Sequence, residues 1–208
     1  MLITGIKSKP VYAPLRADAS GRYHLMLGFG PGESALLRLL GEMQSSAPLA
    51  LDKAPHALAS TRVLIVPETA RAIEPFKQFG LSNLSVFDDA PALLTAFRKV
   101  LDESLMGTRL YVAGPESFIG LAMKLALEFD LNKDEIRAEE MGTLARRVYC
   151  LHCRATTDAV RTNIVRCVGC QRWLLVRDHY SRRLAAYMGV MVDAEAPGEL
   201  PPVKEVFL

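Results

Sequence analysis

Between residues 23 and 140, short apolar runs alternate with longer segments in which apolar residues recur every three or four positions. The short runs end at glycine or proline and predict buried strands, whereas the longer segments predict amphipathic helices. The predicted strands are residues 23–28, 62–66, 85–87, 109–113 and 136–139. The predicted helices are residues 33–43, 68–79, 116–129 and a segment that begins at an Asp88 or Asp89 cap and runs to about residue 104.

This alternation of strands and helices predicts an α/β fold: an open parallel sheet with right-handed crossovers and helices on both faces. Ligands of such sheets bind at the carboxyl ends of the strands. Those ends carry the segments 28–32, 67–69 and 114–116. We therefore expect any small-molecule site of this domain at these three turns.

The character of the chain changes after Gly142, where an arginine-rich stretch begins and all the cysteines occur. We predict four parts: an N-terminal lead-in (1–22), a sheet domain (23–145), a four-cysteine module (146–196) and a flexible tail (197–208). A helix is predicted within the module at residues 180–188. The last residues, Val206-Phe-Leu208, are apolar and could dock on a folded part of the chain.

Composition and charge exclude several classes of protein. The chain has 208 residues, of which 50% are hydrophobic and 23% charged, a composition typical of a globular protein with a buried core. Its net charge of +2 is too small to attract nucleic acid through overall charge. No apolar run approaches the roughly 20 residues of a membrane-spanning helix. The N-terminus lacks the pattern of a signal peptide, so we expect a cytoplasmic protein, whose thiols can serve as metal ligands.

The four cysteines form two CxxC turns, Cys150-Leu-His-Cys153 and Cys167-Val-Gly-Cys170. Two such turns that face each other make a tetrahedral cage of four thiolates, which suits zinc or a single iron. A rubredoxin-like iron site usually has glycine after each turn, where this chain has Arg154 and Gln171. Zinc is therefore favoured, with iron as the alternative, in a small rubredoxin-like or zinc-ribbon module. The remaining alternatives to a metal site are incidental buried cysteines and two redox dithiols.

Two other segments allow two interpretations each. The glycine-rich turn 28–32 can bring a backbone close to a phosphate at a helix N-terminus, or it can be a plain tight turn. Glu33, at the start of the following helix, would compete with a phosphate. The segment Arg177-Asp-His-Tyr-Ser-Arg-Arg183 is either a docking or catalytic patch, with docking favoured over catalysis, or a solvated helix start.

A resemblance to the ferredoxin reductase superfamily rests on three motifs in residues 20–142. Leu110-Tyr-Val-Ala-Gly-Pro-Glu-Ser-Phe-Ile119 resembles the Y-V-C-G-P motif that lies beside the nicotinamide in that family. His24-Leu-Met-Leu-Gly-Phe-Gly-Pro-Gly-Glu-Ser34 is similar to its opening strand and glycine turn, and Ile136-Arg-Ala-Glu-Glu-Met141 to its closing strand. The resemblance implies an open parallel sheet of the nucleotide-domain type.

This sequence departs from the family motifs at several positions. Ala113 replaces the family cysteine, Ser34-Ala35 replaces Thr-Pro, and Met141 replaces the final aromatic residue. Only about 20 residues precede the reductase-like segment, so we do not expect the family's flavin-binding barrel in this chain. Either a partner supplies the flavin, or the domain has lost its cofactor and serves as a scaffold.

The C-terminal cysteine pattern, together with Arg177-Asp-His-Tyr-Ser-Arg-Arg-Leu-Ala-Ala-Tyr-Met-Gly-Val190, resembles the small-subunit family of bacterial dimethylamine monooxygenase. This resemblance implies a multi-subunit, NADPH-dependent oxygenase that demethylates dimethylamine to methylamine and formaldehyde. The partners that it implies are flavin and iron–sulfur reductase subunits and a haem-bearing oxygenase subunit. From the net charge and the lack of a long apolar run, we expect neither nucleic acid nor a membrane as a partner.

Two functions follow as hypotheses, neither with a complete active site in this chain. In the first, an electron-transfer subunit binds NADPH, with Arg71 or Lys77 near the 2′-phosphate. The residues expected to bind the nucleotide are Gly28, Gly30, Gly32, Ser34, Arg71, Gly114, Pro115 and Glu116. In the second, a structural zinc at Cys150, Cys153, Cys167 and Cys170 holds an assembly subunit in shape. We predict no catalytic residue; a nucleic-acid-binding zinc ribbon is the least favoured alternative.

Overall fold

The computed structural model describes residues 8–45 and 58–208. Contacts between Cα atoms divide the chain into two compact units. One unit, here called the sheet domain, is Tyr12–Gly142; the other, the cysteine module, joins Thr143–Leu208 with the segment that ends at Val11.

The sheet domain contains five parallel strands in the order β3-β2-β1-β4-β5. The predicted α/β class and open parallel sheet are therefore confirmed. The order reverses between β1 and β4, which makes the carboxyl ends of these two strands the switch point of the sheet. The strands are β1 Tyr23–Phe29, β2 Thr61–Val66, β3 Asn83–Val86, β4 Thr108–Gly114 and β5 Ile136–Glu140.

Helices cover both faces of this sheet, as predicted. Apolar residues of the first helix and Phe76 pack on one face, and Phe97 and Phe118 lie in the cluster on the other. The α-helices are α1 Gly32–Ser45, α2 Glu74–Lys77, α3 Ala90–Asp102 and α4 Glu116–Glu128. Short 3-10 turns occupy Ala70–Ile73 and Lys133–Glu135.

Two details of the helices differ from the sequence prediction or resolve an open choice. The single helix expected at 68–79 is a 3-10 turn followed by a four-residue helix, because Pro75 has no backbone N–H and occupies the first turn of α2. Asp89, and not Asp88, caps α3: its Oδ1 accepts from the Ala92 N–H at 2.8 Å.

A buried polar network anchors the lead-in to the start of the sheet. Asp18 forms ion pairs with Arg109 at 3.2 Å and Arg137 at 3.3 Å, and its backbone N–H donates to the Tyr111 hydroxyl at 3.0 Å. The same hydroxyl lies 3.3 Å from His24 Nδ1. Both Tyr111 and His24 are buried, so this network satisfies polar atoms that would otherwise lack partners in the core.

The cysteine module is built around a second five-stranded sheet, in the order β7-β6-β10-β9-β8. The pairing of β6 with β10 is parallel, and the other pairs are antiparallel. The strands are β6 Arg146–Cys150, β7 Thr156–Val160, β8 Ile164–Arg166, β9 Trp173–Ser181 and β10 Ala186–Met191.

The helix predicted at 180–188 is wrong. Tyr180 ends the core-facing part of β9, and Tyr187 lies in β10, where the two rings meet edge to face at 5.0 Å. A turn joins the strands, with Ala185 at a φ of 49°. The residues Leu184-Ala-Ala-Tyr have good helix propensity, but burial of the two tyrosines in the sheet core overrides it.

The predicted flexible tail is instead held on the module by hydrogen bonds. Asn163 makes two of them with Lys204: its N–H donates to the Lys204 carbonyl at 3.0 Å, and its Oδ1 accepts from the Lys204 N–H at 2.7 Å. The carbonyl of Arg161 accepts from both Val206 and Phe207, at 2.9 and 3.0 Å. The ring of Phe207 packs on the module core. The apolar residues Val206-Phe-Leu208 therefore dock on a folded part of the chain, which was the alternative to a flexible tail.

The polar, proline-containing residues 44–60 predict a loop, of which residues 46–57 lie outside the described part of the chain. Helix α1 extends through Ser45, beyond its predicted end. Among the helices at 8–45 and 58–208, none combines the length and the apolar character needed to cross a membrane.

Candidate functional site

The two CxxC turns form two structurally equivalent knuckles. The first knuckle is residues 150–155, between β6 and β7, and the second is residues 167–172, between β8 and β9. In each knuckle, the N–H four residues after the first cysteine donates to that cysteine's carbonyl: Arg154 to Cys150 at 2.9 Å, and Gln171 to Cys167 at 3.1 Å. The same local backbone turn therefore presents each pair of thiols.

The four thiols converge on one point. All four Sγ atoms lie within 4.8 Å of one another, with Cys150 and Cys170 at 3.8 Å and Cys153 and Cys167 at 3.4 Å. Zinc–sulfur bonds of about 2.3 Å in a tetrahedron place sulfurs about 3.8 Å apart. All four cysteines are free thiols, so the cluster fits a tetrahedral metal ion.

Backbone N–H groups of both knuckles point at the sulfurs. The Gly169 N–H lies 3.4 Å from Cys167 Sγ, and the N–H of His152, at the equivalent position, donates toward Cys150. The N–H groups of Ala155 and Arg172 donate toward Cys153 and Cys170 in the same equivalent manner. The absence of glycine after each turn, on which the preference for zinc over iron rests, therefore does not remove these donors, because Arg154 and Gln171 themselves adopt the left-handed conformation.

These surroundings divide the thiols by proton affinity. The Arg172 N–H lowers the pKa of the Cys170 thiol to about 5, and the Ala155 N–H lowers the pKa of Cys153. Burial raises the pKa of the Cys150 thiol to about 11. A metal ion offsets that cost of burying a thiolate, since the ion binds the deprotonated form.

His152 does not complete the set of four ligands. Its Nδ1 lies 2.6 Å from Arg172 Nη1, and both side chains also reach the Cys170 sulfur. The two side chains therefore hydrogen-bond to the sulfur of one predicted metal ligand without being ligands themselves. Sequence reasoning missed this role of Arg172, although its offset from the second CxxC equals that of Ala155 from the first.

At the other candidate site, the predicted glycine turns meet at the switch point of the sheet. The turn after β1 lies against the end of β4, and a Cβ on Gly32 would be 2.2 Å from the Ala113 carbonyl oxygen. A Cβ on Gly114 would be 3.1 Å from the Phe29 carbonyl oxygen. Gly32 and Gly114 thus allow two backbone segments to pack against each other.

The remaining glycines of this turn differ in their surroundings. A Cβ on Gly28 would lie 2.9 Å from Leu36 Cδ1, so Gly28 allows close packing of β1 on α1. Gly30 has a φ of 53° and no atom within 4 Å of the position of a Cβ. Of the three glycines predicted in this turn, only Gly30 leaves space beside its backbone.

Glutamates occupy the first turns of both helices that start at this edge. Glu33 is in the first turn of α1, where its Oε2 accepts from the Glu68 N–H at 3.3 Å. Burial, with the neighbouring Glu68 carboxylate, raises the pKa of Glu33. Glu116 opens α4 and is buried. Each carboxylate lies where the helix N-terminus would otherwise attract a phosphate.

The other residues predicted to bind the nucleotide have different structural roles. The hydroxyl of Ser34 donates to the Pro31 carbonyl at 2.9 Å, and Pro115 is the residue before α4. Arg71 is exposed in the 3-10 turn after β2, whereas Lys77 pairs with Glu74 at 2.6 Å. Arg71 is thus the better placed of the two cations to meet an anionic ligand.

Family models match most of the chain. Residues 4–136 match the model described as dimethylamine monooxygenase subunit DmmA-like, N-terminal domain. Residues 147–190 match the model of the C-terminal domain of the same family.

A characterised relative is the haem-dependent oxidative N-demethylase delta subunit of Ectopseudomonas mendocina (strain ymp). It is 33% identical over 111 residues, which are 53% of this chain and 63% of the relative. The match thus spans less than two thirds of the relative's length.

Among solved structures, phthalate dioxygenase reductase has a TM-score of 0.47 and 13% identity, with 69% of this chain and 46% of that chain covered. A mutant ferredoxin-NADP+ reductase from Plasmodium falciparum has a TM-score of 0.42 and 13% identity, with 58% and 54% covered. This chain spans about half the length of each.

Proposed function

Because this chain belongs to the dimethylamine monooxygenase subunit DmmA-like family, we propose that it is part of a multi-subunit oxygenase that demethylates dimethylamine to methylamine and formaldehyde. Its partners in this proposal are flavin and iron–sulfur reductase subunits and a haem-bearing oxygenase subunit. The N-demethylase activity in the name of its relative supports this proposal.

The observation that carries the role of this chain is the convergence of four thiols from two equivalent knuckles. In the proposal, Cys150, Cys153, Cys167 and Cys170 hold one metal ion, zinc or iron. Bound zinc would fix the two knuckles, and bound iron would add a one-electron carrier. The N–H groups around the sulfurs stabilise thiolate charge in either case.

The metal is tested by elemental analysis and a visible absorption spectrum of the pure chain, prepared under reducing conditions with metal supplied. We expect one zinc or iron per chain and its loss in Cys150→Ser. Leu151→Ala, in the same knuckle, is the control and should keep the metal. A wild-type chain that binds no metal would refute this part of the proposal.

In the first form of the proposal, the switch point of the sheet domain would hold NADPH, which would supply a hydride to a partner's flavin. The open space at Gly30 and the exposed Arg71 support a nucleotide there. Arg71→Glu should weaken NADPH more than NADH, because only NADPH carries the 2′-phosphate. Lys77→Glu is the control, and calorimetric titration of both nucleotides is the measurement.

The second form is an assembly subunit with a structural zinc and a degenerate nucleotide fold. The carboxylates of Glu33 and Glu116 favour it, because both occupy the helix N-termini that a dinucleotide would need. It predicts no nucleotide binding by the wild-type chain and loss of complex assembly in Cys150→Ser. Tight NADPH binding by the isolated chain would exclude this form.

A further inference from the structure

The two knuckles expose matched aliphatic residues beside the thiol cluster. Leu151 and Val168 each follow the first cysteine of their knuckle, and they are 55% and 60% exposed. Met191, at the end of β10, is 39% exposed and belongs to the same end of the module, since it pairs with Leu174 next to Trp173. The equivalence of the knuckles thus places apolar side chains in solvent on both sides of the cluster.

Arginines surround these apolar residues. Arg154 and Arg166 are exposed and Arg172 is half-buried, while residues 150–155 and 166–173 contain no acidic residue. Four thiolates with a divalent ion carry a net charge of about −2. The three arginines outweigh this charge, so the knuckle end of the module is basic when the metal is bound.

The two acidic residues nearest to this end in sequence, Asp158 and Asp193, both have partners, and Asp158 pairs with Arg147 at 2.8 Å. Asp193 accepts from the Gly198 N–H at 3.2 Å, in the segment that leaves β10. Arg182 and Arg183 follow β9, whose nine residues separate them from the knuckle end by about 27 Å.

We propose that the knuckle end, meaning Leu151, Val168 and Met191 with Arg154, Arg166 and Arg172, is the surface on which an acidic face of an electron-transfer partner docks. An apolar centre with a charged rim is the usual anatomy of a protein interface. A basic rim selects an acidic partner and speeds its encounter. Cys153 and Cys170, the half-buried ligands, lie in these same knuckles, so the partner would cover the thiol cluster.

This inference rests on the proposed function, because it assumes that the chain assembles with other subunits. It differs from the docking patch that the sequence suggested at Arg177-Asp-His-Tyr-Ser-Arg-Arg183. That segment lies at the far end of β9 and provides the natural control.

The test compares two double charge reversals in the full-length, metal-loaded chain. Arg154→Glu with Arg166→Glu changes the knuckle end, and Arg182→Glu with Arg183→Glu makes the same change in charge at the far end. Affinity for the remaining subunits of the demethylase complex is measured at about 0.05 and 0.5 M salt, with metal content as the check on folding. We expect the knuckle variant to lose at least about tenfold in affinity at low salt, and the control less than about twofold.

The apolar part is tested separately by Leu151→Ser with Val168→Ser. It should weaken binding about equally at both salt concentrations, whereas Val203→Ser, another exposed aliphatic position, should not. Equal losses in the two charge variants, or no loss in either, would overturn the docking proposal alone. A loss of binding to a single-stranded RNA oligonucleotide, with unchanged affinity for the other subunits, would overturn it in favour of a nucleic-acid surface. A wild-type chain that binds none of the subunits would overturn both this inference and the proposed function.

Discussion

Arg154 and Gln171 occupy equivalent positions, each directly after the second cysteine of its knuckle, and both have left-handed backbone conformations with φ of 67° and 60°. Such a conformation is unfavourable for residues with a Cβ and free of that penalty for glycine. Their own N–H groups donate to the carbonyls of Cys150 and Cys167, and the N–H groups of the next residues, Ala155 and Arg172, donate toward Cys153 and Cys170. The module thus maintains two strained turns that orient N–H donors toward the thiols.

Replacement of these residues by glycine should stabilise the metal-loaded module. Arg154→Gly and Gln171→Gly are each expected to raise the free energy of unfolding by about 0.5–1 kcal/mol, because strain is relieved in the folded state. Thermal unfolding is the measurement. Arg154→Ala and Gln171→Ala are matched controls, since they remove the same side chains but keep the Cβ. Glycine variants no more stable than the alanine variants would contradict the strain.

Replacement of glycines in the sheet domain by alanine should change the free energy of unfolding by amounts that depend on the neighbours of each glycine. Gly32→Ala would place a Cβ 2.2 Å from the Ala113 carbonyl oxygen and should cost about 3 kcal/mol or more. Gly30→Ala meets no neighbour within 4 Å, but it is strained at a φ of 53° and should cost about 1 kcal/mol.

Gly41, within α1, is the control of opposite sign. Its Cβ position is open, so Gly41→Ala should raise stability by up to about 1 kcal/mol through helix propensity. Denaturant unfolding of the three variants gives the order. A Gly32 variant as stable as the Gly30 variant would mean that the contact with β4 is not rigid.

Sequence reasoning succeeded where the signal is local. The strands of the sheet domain are short apolar runs with glycine or proline at their ends, and buried parallel strands leave this pattern in any sequence. The thiol cluster was predictable because each CxxC fixes two ligands in one turn. The tertiary fold only has to bring the two turns together.

It failed where distant contacts decide. Tyr180 and Tyr187 are seven residues apart, a spacing that places two residues on one face of a helix, but in the structure they lie on paired strands. The docking of the tail depends on Asn163, a residue of no visible pattern about 40 positions earlier. The two first-turn glutamates were visible in the sequence, but the burial of Glu116 depends on its packing in the folded domain.

The Asp18 network should make the sheet domain lose stability in acid. The Ser20 hydroxyl, donating to Asp18 Oδ1 at 2.6 Å, and the charge of Arg109 hold the pKa of Asp18 below its ordinary value. A carboxyl with a lowered folded-state pKa stabilises the fold above its unfolded pKa, and this contribution is lost as pH falls through the folded pKa. Burial also lowers the pKa of His24, so protonation of this histidine on the way to acid pH opposes folding as well.

Asp18→Asn should therefore cost about 2 kcal/mol at pH 7 and progressively less as pH falls below 4. Urea unfolding between pH 7 and pH 3 measures the difference. Asp102→Asn, at the exposed end of α3, is the control and should cost little at either pH. A difference between wild type and Asp18→Asn that stays constant over this range would show that the charge of Asp18 is not the stabilising feature.

The guanidinium of Arg146 lies between two aromatic rings, 4.0 Å from the centroid of Tyr187 and 3.8 Å from that of Phe207. It also pairs with Asp178 at 2.7 Å, and its side chain is 8% exposed. Since Phe207 belongs to the tail, this stack is the side-chain contact that adds to the backbone hydrogen bonds of the tail. A desolvated contact of this kind is worth up to about 2 kcal/mol.

Phe207→Ala should accordingly lower the unfolding free energy of the module by about 2 kcal/mol and expose the amides of residues 204–207 to hydrogen exchange. Phe207→Leu keeps apolar bulk without the ring, so it should recover part of the stability and none of the cation–π term. Hydrogen exchange followed by mass spectrometry resolves the tail from the strands. If the tail amides exchange at the wild-type rate in Phe207→Ala, the hydrogen bonds to Arg161 and Asn163 suffice to hold the tail. The aromatic stack would then stabilise only the Arg146 side chain.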